Sequence, residues 1–332
     1  MEGSNFEVQS FTTLTISFMS KDKYKVGNWS QYNQGLKLRG SITVWISQEV
    51  LEQWQYRGEK KKGGQYAYSD WAIEVCLTVH KVYHLPLRQT QGFIESFFLQ
   101  MQLNLPVPCY TQISRRSQGL AVSLPTKKAK RITDIVVDST GLKVYGEGEW
   151  KVRQHGWSKH RQWMKLHVGL DAQQQQAEAV ELSTNAVDDA EMVDKLLKQT
   201  QGDIHSFTGD GAYDKAKVRK LLYEKAAEQK QDIFQCIPPQ RGAVMDKKGR
   251  EHLWQRNDDI KAMKRLGRKE WKVLSNYHQR SKAETFMYRY KTILGGQLMA
   301  REFSRQRTEV KVGCKILNIM LQMAKPQSQK VA

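Results

Sequence analysis

The pattern of short apolar segments between residues 133 and 238 most constrains the fold of this chain. Three segments of strand character come first, with short connections between them: 133–140, 141–146 and 161–171. Helix and strand patterns then alternate: a helix over 188–200, a strand over 204–210, a helix over 213–230 with Asp214 as its N-cap, and a strand over 232–238. Closely connected strands pair antiparallel, whereas strands separated by a helix pair parallel. The order therefore predicts an α/β fold with a mixed five-stranded sheet and helices on its faces.

Two aspartates stand at predicted strand ends. Asp138 closes the run "DIVVD", and Asp210 stands between two glycines in "TGDGAYD". The element order is that of the ribonuclease H-like fold, in which the first and fourth strands are neighbours, so both carboxylates are expected at one end of the sheet. Such carboxylates repel each other unless a cation lies between them, and their oxygens suit Mg²⁺. A pair of ions about 4 Å apart would need a third carboxylate.

The segment "YHQRSKAETFMYRYK" at 277–291 supplies a single glutamate among basic residues. If this segment is a helix, Tyr277, Arg280, Glu284 and Lys291 fall within an arc of about 60°. This stripe predicts that Glu284 binds metal, that Arg280 and Lys291 bind phosphate, and that Tyr277 contacts a base or sugar. Each motif also has a plain structural explanation: a turn for "GDG", an Asx-turn for Asp138 and a helix salt bridge for Arg280 with Glu284.

The charge of the chain indicates a polyanionic partner. Its 53 Lys and Arg against 34 Asp and Glu give a net charge of +19. Nucleic acid is the first candidate and an anionic membrane surface the second. The chain has no long apolar run and no basic segment before its first apolar stretch, so neither a spanning helix nor a signal peptide is expected. Four cysteines without a CxxC pair argue against a zinc site and suit a reduced, cytoplasmic interior.

Changes in composition divide the chain into four predicted parts. These are a poorly ordered extension over 1–27, a mainly helical DNA-binding region over 28–125, a catalytic domain over 130–300, and a basic C-terminal tail or helix over 301–332. In the second part, helices are expected over 71–85, 87–103 and part of 110–120. The last two form a candidate helix-turn-helix over 87–120 that carries Arg115 and Arg116, although any three-helix packing has the same outline.

Further basic residues are candidates for DNA contact. Arg153, Lys159 and Arg161 are interleaved with tryptophans between two predicted strands, which favours phosphate contact with base stacking as much as a hairpin with packed tryptophans. Arg241 follows the last predicted strand, near the expected active end of the sheet.

These motifs together resemble bacterial insertion-sequence transposases of the DDE class. Tyr277, Arg280, Glu284 and Lys291 match the Y-(2)-R-(3)-E-(6)-K signature, and the segments around Asp138 and Asp210 resemble the two aspartate regions. The stretch "NWSQYNQGLKLRGSITVWI" at 28–46 is similar to the N-terminal region of the group named for insertion sequence five.

The resemblance implies an enzyme that binds the terminal inverted repeats of its element, cuts there, and joins the freed 3′-hydroxyl to target DNA. Asp138, Asp210 and Glu284 would hold Mg²⁺, in two ions and with Mn²⁺ as a substitute. The partner would be double-stranded DNA, bound by a homodimer or larger assembly, with neither a membrane nor a small-molecule substrate. The alternatives are a DNA-binding regulator or inactive relic that uses the N-terminal helices, and a nuclease of the same fold.

Overall fold

The computed structural model describes residues 23–59, 63–125, 132–144 and 163–331. A helical N-terminal part precedes a mixed sheet that has helices on both faces. The N-terminal part contains six helices: α1 Trp29–Leu38, α2 Ile42–Trp45, α3 Gln48–Glu52, α4 Asp70–Val82, α5 Leu87–Gln100 and α6 Tyr110–Arg116. Their buried core includes Trp54, Ile73, Ile94, Phe98 and Ile113.

In the described residues the central sheet has six strands, one more than predicted. They are β2 Ile132–Val144, β3 Trp163–Asp171, β4 Gln176–Thr184, β5 Asp203–Thr208, β6 Phe234–Cys236 and the short β7 Gln297–Leu298. The order is β4-β3-β2-β5-β6, with β7 beside the end of β2. Strands β2, β3 and β4 form an antiparallel meander, and β5, β6 and β7 join in parallel. The predicted mixed α/β sheet is confirmed, including the parallel pairing of β2 with β5.

The predicted strands over 133–140 and 141–146 correspond to the single strand β2. The prediction broke the chain near Ser139–Gly141, but β2 continues through these residues because each pairs in register with β3. The ring of Trp163 lies against the backbone of Gly141. A Cβ added at Gly141 would lie 3.3 Å from Trp163 Cε3, so glycine allows this close approach within the strand. Asp138 therefore lies within a long strand and not at its end.

The third strand of the meander, β4, was not predicted. Its sequence "QAEAVELST" is rich in Ala and Glu, which are uncommon in strands. Pairing with β3 and burial on both faces hold it in the sheet. The predicted order of strands and helices agrees with the structure because two errors cancel. The prediction divided β2 into two strands and did not include β4.

Helices cover the two faces of the sheet with separate cores. On one face, α7 Val193–Gln199 and α8 Ala216–Gln229 pack on Ile135, Val137 and Phe207. On the other, α11 Ser281–Arg289 and α12 Phe303–Met323 pack on Val136, Leu142 and Leu166. Between β6 and α11 lie α9 Trp254–Leu266 and α10 Arg268–Leu274.

Most of the segment predicted as a basic C-terminal tail or helix, over 301–332, is a helix, and it belongs to the core of the sheet. The 21-residue α12 buries Val310, Cys314 and Leu317 against the sheet, so the core of the sheet extends beyond the predicted boundary at 300. Two ion pairs with low exposure, Lys81 with Glu309 and Lys315 with Glu74, fasten it to α4. In the described parts of the chain, no helix combines the length and the apolar character needed to cross a bilayer.

The N-terminal part corrects two further predictions. The candidate helix-turn-helix over 87–120 lacks a short turn, because residues 101–109, which include Pro106 and Pro108, separate α5 from α6. Residues 1–22 of the predicted extension lie outside the described residues. Its last residues form a strand, β1 Lys23–Val26, paired antiparallel with β8 Ser328–Val331.

Candidate active site

One edge of β2 is paired only at its two ends. On this side, β5 pairs with residues 132–136 and β7 with residues 143–144, and no described strand pairs with the stretch between them. The 3₁₀ turn Tyr277–Arg280 and α11 pack against β2 there. The predicted helix over 277–294 thus begins as a 3₁₀ turn and ends in the π-helical segment Tyr290–Leu294.

Asp138 projects from this open stretch toward α11. Side chains alternate along a strand, and Val136 and Leu142 lie in the core shared with α11 and α12, so Asp138 is on the same face. Its side chain is 18% exposed. Its Oδ1 accepts a hydrogen bond of 2.9 Å from the backbone N–H of Ser139.

Asp210 follows β5 and reaches the same level of the sheet. The last pair between the strands is Val136 with Thr208, two residues before each aspartate. Asp210 Oδ1 accepts from the N–H of Ala212 at 2.9 Å and so caps the 3₁₀ turn Gly211–Tyr213. Only glycine fits at 209, because an added Cβ would lie 2.8 Å from Tyr213 Cδ2 and 3.2 Å from a methyl of Val137. The "GDG" sequence is a turn and also presents the carboxylate.

Glu284 and Arg280 complete the group from the third segment. Glu284 is in the first turn of α11 with a half-exposed side chain, and its carboxylate accepts a hydrogen bond from Arg280 Nη2. Arg280 Nη1 also lies 3.6 Å from Asp138 Oδ2. The helix salt bridge between Arg280 and Glu284, given above as the plain structural explanation, is present. The same guanidinium also pairs with Asp138 on β2.

Asp138 lies close enough to Asp210 and Glu284 for their charges to act on its carboxyl group. Burial raises the pKa of Asp138, and the charges of Asp210 and Glu284 raise it further, against the lowering by the Ser139 N–H and Arg280. Partial burial lowers the pKa of Arg280, but Tyr277, Glu284 and Asp138 together outweigh this effect and raise the pKa above its usual value. The guanidinium supplies the positive charge that the carboxylates require.

The donor set fits a hard divalent cation. Carboxylate oxygens are ligands that Mg²⁺ or Mn²⁺ accepts. In the described residues, no three acidic, histidine or cysteine side chains are grouped closely enough to hold an ion. The guanidinium of Arg280 pairs with both Asp138 and Glu284, so it takes the place of a cation between these two carboxylates.

The remaining members of the basic stripe lie differently. The centroid of the Tyr277 ring lies 6.0 Å from that of the Trp271 ring and 5.9 Å from the guanidinium carbon of Arg280. Burial raises the pKa of Tyr277, as do the nearby charges of Asp210 and Asp138. Lys291 is exposed in the π-helical segment, whose wider turn shifts it from the stripe that an α-helix would form.

Two protein-family models match this sequence, and both describe a transposase DDE domain. One matches residues 129–319, more than half of the chain, and the other residues 37–147. The chain belongs to the DDE transposase family. Such domains cleave and join DNA and generally use divalent metal ions. The predicted DDE transposase is confirmed, whereas the insertion-sequence-five group and the Y-R-E-K signature remain predictions.

A solved transposase gives a weaker likeness. The cryo-EM structure of a piggyBac transposase synaptic complex with hairpin DNA aligns with a TM-score of 0.40 and 11% sequence identity, over 86% of this chain and 76% of that one. A likeness of this size does not establish a shared fold.

The other predicted DNA contacts of this transposase have varied surroundings. Arg116 donates to Asp70 and to the carbonyl of Tyr68 and lies over the ring of Tyr66, which favours a structural role. Arg115 and Arg241 are exposed. Arg153, Lys159 and Arg161 lie outside the described residues.

A buried ionic cluster behind the Asp210 loop was missed by the sequence reading. Asp214 was predicted to be the N-cap of the helix that is α8, but the N-cap is Lys215. The Asp214 carboxylate binds Arg219, Arg256 and the N–H of Gln240, whose side chain in turn donates to the carbonyl of Gly211. Arg219 is fully buried and also pairs with Asp259. One feature of the segment "YDKAKVR" could have indicated this cluster: Arg219 follows Val218 on the buried side of α8, where an arginine needs an acidic partner.

Proposed function

We propose that this transposase binds the terminal inverted repeats of an insertion sequence and catalyses strand cleavage and strand transfer with Asp138, Asp210 and Glu284. In this proposal the sheet is a ribonuclease H-like catalytic domain of the insertion-sequence-five group. The N-terminal helices contribute to end binding. At least two protomers act together, because two element ends must be joined.

The observation that carries the proposal is that Asp138 and Glu284, distant in sequence, both pair with Arg280, while Asp210 lies close enough for its charge to act on Asp138. The three residues come from β2, the loop after β5 and α11. A DNA-binding regulator has no need for three carboxylates beside a polyanion, since they repel phosphate.

The three carboxylates would hold Mg²⁺, in two ions and with Mn²⁺ as a substitute. When bound, such ions activate an attacking oxygen and stabilise a leaving one. Asp138 is held by the β2–β3 ladder and by the Ser139 N–H, so its position changes little when a ligand arrives. Asp210 is fixed by its bond to Ala212, whereas the half-exposed Glu284 has more freedom.

Arg280 and the exposed Lys291 would bind phosphate oxygens on either side of the scissile bond. A guanidinium that already lies between two acids is well placed to exchange one carboxylate for a phosphate, since both present paired oxygens. In cleavage, water bonds to phosphorus, the bond to the 3′ oxygen breaks, and that oxygen takes up a proton. In transfer, the 3′-hydroxyl attacks a target phosphodiester in the same way.

The proposal is tested with a labelled duplex that carries the element's end. Asp138→Asn, Asp210→Asn and Glu284→Gln should each reduce Mg²⁺-dependent nicking by roughly a thousandfold or more, because each removes a ligand. Gel-shift binding should persist in all three variants. Calorimetric titration with Mn²⁺ gives a second readout, and it should show weaker binding in each variant.

Glu228→Gln is the matched control, because Glu228 is an exposed acid on α8 and should leave cutting unchanged. Wild-type cutting by any acid variant would remove that residue from the site. If the wild-type protein binds the end but never cuts it, with either metal, the chain acts as a regulator or an inactive relic.

A further inference from the structure

A cavity of about 720 Å³ lies between the N-terminal helices and the start of α12, away from the three acids. Residues of α4, α5 and α6 form one wall, and residues 299–312 form the other. Leu77, Leu87 and Val312 contribute apolar surface. Because the two walls come from distant parts of the sequence, a ligand in this cleft would contact both at once.

The cleft has a strong positive charge. Five of its lining residues are cationic, Lys81, Arg88, Arg115, Arg301 and Arg305, and one is anionic, Glu309. The charge of Glu309 is already balanced, because it lies 2.8 Å from Lys81 Nζ and also accepts from the N–H groups of Met299 and Ala300. The arginines thus dominate the field at the opening.

Two of the arginines are held in position before any ligand binds. The Arg88 guanidinium lies 4.4 Å from the centre of the Tyr110 ring, and Arg305 donates to Ser114 Oγ at 3.2 Å across the cleft. Arg305 also pairs with Glu302. Planar guanidinium groups fixed in this way favour the paired oxygens of phosphate. The apolar surface between them suits the sugar or base of a nucleotide.

We propose that this cleft binds the phosphodiester backbone of the element's end, inward from the cleavage point. The inference rests on the proposed function and extends it. The segment before Met299 is β7, and its Leu298 pairs with Val144, six residues beyond Asp138 on β2. Six strand residues span about 20 Å. The Met299 end of the cleft is therefore on the order of 20 Å from Asp138, so the cleft would contact phosphates other than the scissile one.

Arg88→Ala combined with Arg301→Ala tests this in the Glu284→Gln background, where binding is measured without cutting. End binding at about 0.1 M salt should weaken 10- to 100-fold, and the slope of log K against log salt should fall by about 2, since about two phosphate contacts are lost. Phosphate ethylation should interfere with the parent protein at one or more positions away from the cut, and interference at those positions should be absent with the variant.

Lys195→Ala combined with Lys220→Ala is the matched control, with the same loss of charge on exposed positions of α7 and α8, on the other face of the sheet. Equal weakening by both pairs would overturn the proposal, as would an unchanged salt slope in the cleft variant. Arg88→Lys with Arg301→Lys keeps the charge and should lose less affinity, which guards against misfolding.

Competition with a nucleoside triphosphate tests whether the phosphate bound in the cleft belongs to DNA or to a free nucleotide. If the triphosphate binds the cleft and the ethylation pattern is unchanged in the variant, the cleft is a free-nucleotide site and not a DNA site. Because these readouts concern binding alone, an absence of cutting by the wild-type protein would contradict the proposed function and leave the cleft to be decided separately.

Discussion

Two arginine–carboxylate clusters of this transposase lie near the same loop and differ in their relation to solvent. Arg280 with Asp138 and Glu284 is open on one side, and Glu284 is 54% exposed. Arg219 with Asp214 and Asp259 is enclosed, and the arginine side chain has no exposed surface. Both clusters hold charge that would be costly to leave unpaired.

The partners of the two arginines show what each cluster does. Arg219 donates to the carbonyl of Ile237 at 2.8 Å as well as to Asp214, so its bonds join α8, β6 and the loop after β5. Arg280 binds carboxylates, and its other neighbour is the ring of Tyr277. The buried arginine connects main-chain segments, whereas the open one connects side chains that a ligand could replace.

The largest effect is expected from Arg219→Met. The substitution leaves Asp214 and Asp259 without their shared cation, and breaking one side of a buried network costs about 3–5 kcal/mol. Urea unfolding should show this loss in the free energy of unfolding. Lys220→Met, the next residue on α8 and exposed, is the control and should stay within about 0.5 kcal/mol of wild type. Equal stabilities would mean that the buried cluster does not support the fold.

Arg280→Ala should have the opposite effect, with little loss of stability and a large loss of cutting. The pair with Glu284 is partly screened by solvent, so the free energy of unfolding should change by about 1 kcal/mol or less. Cutting should fall by about 10²- to 10³-fold, the usual cost of removing one group that stabilises developing charge. Arg280→Lys should recover part of the rate. A variant that unfolds as easily as Arg219→Met yet cuts normally would reverse the two roles.

The local setting of two of the acids could be predicted from the sequence. Asp210 follows a strand and Glu284 lies on a helix, as the patterns of nearby residues predicted, whereas Asp138 was expected at a strand end and lies within β2. The continuous β2, the Ala- and Glu-rich β4 and the buried α12 depend on partners far away in sequence, which no local pattern reveals.

The buried cluster was missed for a similar reason. Asp214 sits where an N-cap is common, and only the packing of Arg219, Arg256 and Gln240 around it shows its actual partners. An ionised side chain in a core is unusual, so a local reading assigns such residues to the surface.

The smallest effect is expected from Asp259→Asn, and it depends on pH. Burial raises the pKa of Asp259 to about 6, against the lowering by the Trp271 N–H and Arg219. Its Oδ2 lies 3.7 Å from Arg219 Nη1 and has no hydrogen-bond partner. The folded protein therefore holds the proton of this carboxyl more tightly than the unfolded chain does, so the stability that it contributes is lost as pH rises from about 4 through about 6.

Asparagine keeps the acceptor for Trp271 Nε1 and carries no charge at any pH. The variant and wild type should match in free energy of unfolding near pH 4, and near pH 8 the variant should be more stable by on the order of 1 kcal/mol. Urea unfolding at both pH values measures this difference. A variant that is less stable near pH 8 would show that Arg219 depends on the charge of Asp259, and the enclosed cluster would then need both acids ionised.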